Sequence, residues 1–127
     1  MKMPLTIRTE QMALLQGHID RRFAAHMAQD IRQHRIGGSD HISDTALDQL
    51  IEVGIARARR YGFTSKYSIA MFVHFMLIIG ADFDEYPPVR LGLQDQRYPP
   101  NDRIDRLLAA MTPLQWDRAR QRCASTL

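Results

Sequence analysis

Apolar residues along this chain recur at steps of three and four, the spacing of one helical face, and nowhere form a sustained alternation of the strand type. Between Thr9 and His34 the face is Met12, Leu15, Ile19, Phe23, Met27 and Ile31, with Asp20, Arg21, Arg22, Asp30 and Arg32 falling on the wet side. This predicts one long amphipathic helix. Gly17 is its weak point, costing about 1 kcal/mol against alanine in a helix interior. Gly37-Gly38-Ser39-Asp40 ends the element, and residues 1–8 read as a flexible N-terminus.

Ser43 or Asp44 is the expected N-cap of a second helix, about Thr45 to Tyr61, whose buried face is Leu47, Leu50, Ile51, Gly54, Ile55 and Ala58. Gly54 and Ala58 leave a smooth strip where another helix can come close. Arg57, Arg59 and Arg60 crowd the last turn, where the helix dipole favours cations, and Gly62 supplies the stop. A third helix, capped by Thr64 or Ser65, runs to about Ile79. It contains the run IAMFVHFMLII, residues 69–79, and is apolar nearly all round, so it is expected to be the buried central helix.

Two Pro-Pro pairs then interrupt residues 81–100, which predicts an irregular connection with at most a short helical turn near Val89 to Leu93, Pro88 at its first position. Asn101 or Pro100 introduces a helix carrying Ile104, Leu107, Leu108 and Met111. Thr112-Pro113-Leu114-Gln115 has the form of a capping box for a last helix, from which Leu114, Trp116 and Ala119 are expected to pack inward. The fold expected is an all-α, single-domain bundle, residues 1–127, of about five helices with a long first helix.

Composition adds limits. At 127 residues the chain suits one domain, and 45% apolar with 24% charged residues is ordinary globular usage. The longest apolar run is far short of the about 20 residues of a membrane span, and no secretory signal opens the chain. One cysteine, Cys123, makes no internal disulfide. A cytoplasmic location is expected.

Net charge is +3 and the isoelectric point about 9.4, which raises a nucleic-acid reading centred on Arg57 to Arg60. Acids and bases are interleaved, however, and the helix following those arginines lacks the polar face that reads base edges. His18, His26 and His34 step by about 80° around the first helix and do not converge. No metal-binding, phosphate-loop or nucleophile motif is present, so no catalytic residue, cofactor or metal site is expected. His74 reads as a buried neutral histidine with one hydrogen-bond partner.

The chemistry that remains is a pairing of opposites. Asp82, Asp84 and Glu85 sit just past a helix C-terminus, where negative charge is disfavoured and calls for a cation. Arg57, Arg59 and Arg60 are the nearby donors. Whether these clusters pair within the chain or meet a partner is open at this level.

Residues 46–87 resemble small helical proteins encoded in bacterial type VI secretion gene clusters, beside spike-tip, effector and effector-chaperone genes. The shared pattern is Gly54-Ile55, Arg57-Ala58-Arg59-Arg60-Tyr61-Gly62, Ser65, Gly80, Asp82-Phe83-Asp84 and Pro87, with Arg21, Arg22 and Phe23 in the leading helix. The resemblance implies a non-enzymatic accessory role: an adaptor or co-chaperone for an effector, an effector chaperone or a spike-tip protein. The alternatives are an immunity protein against a secreted toxin and a nucleic-acid-binding regulator. Candidate partner-binding residues are Arg57, Arg59, Arg60, Tyr61, Phe63, Asp82, Asp84 and Tyr86.

Overall fold

The computed structural model describes residues 9–125, and the side chains of 17, 18 and 20–123. The segment 1–8 and the side chains of Met12, Leu15 and Ile19 lie outside these described residues. Six α-helices and no strand are found among them: α1 Thr9–His34, α2 Asp44–Arg60, α3 Lys66–Ile78, α4 Pro87–Leu93, α5 Arg103–Ala110 and α6 Pro113–Ser125. Single 3₁₀ turns at 39–41, 83–85 and 100–102 join them. No described helix is long and apolar enough to cross a membrane.

The ends of these helices follow from local chemistry. Arg35 adopts φ 50°, and the Ile36 N–H returns to the Ile31 carbonyl at 3.1 Å, closing α1 in a Schellman motif. Ser43 and Ser65 accept hydrogen bonds from the amides of Ala46 and Ser68 and cap α2 and α3. Thr112 and Gln115 exchange hydrogen bonds, with Gln115 N to Thr112 Oγ1 at 3.2 Å and Thr112 N to Gln115 Oε1 at 2.8 Å, which is the capping box of α6. Asn101 departs from expectation. Its side chain accepts from the amides of Thr64 and Ser65, at 2.9 and 3.1 Å, and so clamps the start of α3 instead of capping α5.

The connection after α3 is more regular than two proline pairs suggest. Pro87 and Pro88 occupy the first turn of α4, where a missing amide hydrogen costs nothing. The 83–85 turn drops Phe83 into the core, where it meets Phe72 at 4.9 Å and Phe75 at 5.5 Å between ring centroids. Tyr61, Phe63, Phe72, Phe83, Phe75 and Trp116 thus form one continuous aromatic row.

α1 lies antiparallel on α2, fixed by Arg59–Asp20 at one end and Arg32–Asp44 at the other. α2 and α3 meet along the smooth strip: a Cβ on Gly54 would lie 2.7 Å from Val73 Cγ2. α3 is not enclosed all round. Ile69, Phe72, Val73 and Met76 are buried, but Tyr67 and Ile78 are 53% and 45% exposed on the opposite side, with Met71 and His74 half-buried between them. Leu114, expected to pack inward, is 58% exposed, while Trp116 is half-buried and Ala119 fully so.

Candidate partner-binding surface

The RARRYG end of α2 and the ADFDEYP exit of α3 meet in space. Asp84 is their junction. Its carboxylate, almost wholly buried, accepts from Arg57 Nη1 at 3.0 Å and from the Tyr61 hydroxyl at 2.8 Å. Arg57 also donates to the Ala81 carbonyl at 2.6 Å, in the turn that follows α3. Burial and the Asp84 hydrogen bond push the Tyr61 hydroxyl up to about 12. Of the three acids behind α3, Asp84 is therefore met inside the chain, by one arginine and one phenol.

The other candidates separate. Arg59 turns toward α1 and grips Asp20 with two nitrogens, at 2.6 and 3.3 Å. Asp82 faces α6, where it receives the thiol of Cys123; burial, then this bond, push that thiol up to about 11. Tyr86 is half-buried against the core at the start of α4. Phe63 is fully buried and presents nothing to a partner. The reason is local: Gly62 at φ 95° forms a Schellman turn, with Phe63 N bonded to the Ala58 carbonyl at 3.2 Å, and such a turn folds the next residue back onto the helix.

Arg60 stays exposed at the surface and forms no ion pair among the described residues. It flanks a cleft of about 340 Å³ whose floor is Arg57, Tyr61 and Asp84, and whose far wall is Arg90 of α4 and Gln94 at its C-cap, with the exposed Glu85 beside them. Arg90 is likewise exposed and forms no ion pair among the described residues. Once Asp84 is counted with Arg57, the cleft holds two guanidinium groups against one carboxylate. Arg90 and Gln94 were not among the sequence candidates, because the residues around them read as irregular. Their spacing of four, after a proline pair at N1 and N2, was the available signal.

His74 is half-buried and not enclosed, and its Nδ1 has no hydrogen-bond partner among the described residues. Among the described residues no group of three or more His, Cys, Asp or Glu side chains is placed to hold a metal ion. No protein-family model matches the chain, and neither does any curated protein or solved structure.

Proposed function

We propose that this chain is a non-enzymatic protein-binding accessory factor that acts in the cytoplasm as an adaptor or co-chaperone for a type VI secretion effector, its chaperone or a spike-tip protein. The resemblance supplies the partner class. The observation that supports binding is the α2–α4 cleft, where Arg60 and Arg90 flank a floor made rigid by the Arg57–Asp84–Tyr61 bonds. Exposed arginines on a fixed base suit acidic side chains of a protein partner, since a guanidinium pairs a carboxylate through two parallel N–H donors. Fixing the floor in advance lowers the ordering cost of binding.

The experiment is co-expression with each product of the flanking secretion genes, followed by size-exclusion chromatography at low and high salt. A complex that forms with one of them, and is weakened at least about tenfold by Arg60→Glu with Arg90→Glu, is the expected result. Co-elution with none of them would overturn the proposal. Rescue of cells from a co-expressed toxin would instead establish the immunity reading. A salt-sensitive gel shift with duplex DNA would favour the nucleic-acid reading.

A further inference from the structure

A second concavity, of about 510 Å³, opens between α4 and α5 and shares no lining residue with the α2–α4 cleft. Its buried charged member is Arg103, in the first turn of α5 and only 7% exposed. The Arg103 guanidinium donates to carbonyls: Nε to Tyr98 O at 3.0 Å, and Nη1 to Leu93 O at 3.2 Å and Tyr61 O at 3.5 Å. None of these acceptors carries a charge. The lining carboxylate, Asp95, is engaged elsewhere, gripped by Arg97 through contacts of 2.8 and 3.0 Å. Those hydrogen bonds hold the Asp95 carboxyl down at about 2, with the nearby Arg103 charge adding to the effect.

A third arginine, Arg106, stands over the Tyr98 ring at 4.5 Å and forms no ion pair among the described residues. The ring holds its planar group in place. Three arginines therefore face one aspartate, an excess of two positive charges in a concave site with low-dielectric walls. Those walls are aliphatic: Pro88, Leu91, Leu107 and Met111, with Leu91 71% exposed at the rim. A nearly buried cation that hydrogen-bonds only to neutral carbonyls, and shares the nearby Asp95 charge with Arg97, leaves electrostatic stabilisation unrealised, which an anion in the pocket would supply.

We infer that the α4–α5 pocket binds a carboxylate carried on an aliphatic body, with the carboxylate against Arg103 and Arg106 and the aliphatic part along Leu91, Leu107 and Met111. The volume lies within the range of small-ligand sites, which combine apolar walls with a few placed polar groups. A free aliphatic acid and the C-terminal leucine of a peptide both present this chemistry. The inference does not depend on the α2–α4 cleft, and the two sites are separately testable.

The test is NMR titration of the full chain, following the Arg side-chain N–H groups and the leucine methyl groups. The probes are octanoate, octanamide, acetyl-Gly-Leu-Leu as free acid and as amide, and inorganic phosphate. The expected result is saturable shifts at Arg103, Arg106, Leu91 and Leu107 with octanoate or the peptide acid, at least about tenfold weaker with the matching amide. Octanoate alone would mark a small-molecule site, and the peptide acid alone a chain-end site. Arg106→Gln and Leu91→Gln, both at exposed side chains, should each weaken the bound acid at least about fivefold while leaving the rest of the spectrum in place. Acids and amides binding alike, phosphate binding as well as either acid, indifference to both variants, or no saturable shift with any probe would each overturn the inference.

Discussion

Asp84 carries more of the structure than any other charged candidate, because its carboxylate joins α2, the 83–85 turn and the end of the aromatic row. Asp84→Ala leaves Arg57 with only the Ala81 carbonyl and should cost about 3 kcal/mol in urea denaturation, the usual penalty for breaking a buried pair. Arg60→Ala, at an exposed side chain without an ion pair, should cost less than about 0.5 kcal/mol. Equal losses would mean that the division between fold and surface is drawn wrongly. Tyr61 gives a pH dependence. Its ionisation is shifted from the ordinary 10.0 up to about 12 in the folded chain, so the contribution is full below pH 10 and is lost as pH rises through 12. Stability should fall more steeply over that window in the natural chain than in Tyr61→Phe, and parallel curves would remove Tyr61 as the cause. The clustering of arginines and acids was legible in the sequence. The assignment of each partner was not, since Arg57, Arg59 and Arg60 are near neighbours in sequence but leave the helix in different directions.

The caps at Ser43, Ser65 and Thr112–Gln115 and the stop at Gly62 could be read directly, because each acts within a few residues of itself. Asn101 could not, because it acts on amides 36 and 37 residues away. Arg103 offered a faint signal: a cation in a first turn opposes the helix dipole and implies a tertiary reason for being there. The outer side of α3 was misjudged for another reason. An all-round apolar helix suggests enclosure, but how many neighbours arrive is decided by lengths and connections far from it. Glycines separate helix propensity from packing. Gly54→Ala should destabilise by about 1–3 kcal/mol, because its methyl group would lie 2.7 Å from Val73 and 2.9 Å from Met76. Among the described residues Gly17→Ala meets the end of Arg21 at 3.6 Å, an ordinary contact, and should stabilise α1 by about 0.5–1 kcal/mol. Thermal unfolding of both variants checks the opposite signs.

In the whole molecule, α1 packs principally on α2, whereas α3 is held by α2 and α5 and is met by Phe83 of the 83–85 turn and Trp116 of α6. Native-state hydrogen exchange should therefore show α1 amides opening at a lower free energy than those of α3, in a unit of their own. Identical protection in the two helices would contradict this. Most helix contacts join neighbours in sequence, a pattern that favours quick folding. The covering of α3 is the exception. Phe75 is closed over by Phe83 and Trp116, and Cys123 seats against Gly80, so the inner side of α3 waits for residues made long after it. At about 5–20 residues per second, the 45 residues from Ile78 to Cys123 take roughly 2 to 9 s to synthesise. Throughout those seconds the end of the most apolar stretch lacks the covering that Trp116 and Cys123 of α6 supply. The end of α3 thus stays open to non-native apolar contacts on the ribosome until α6 exists.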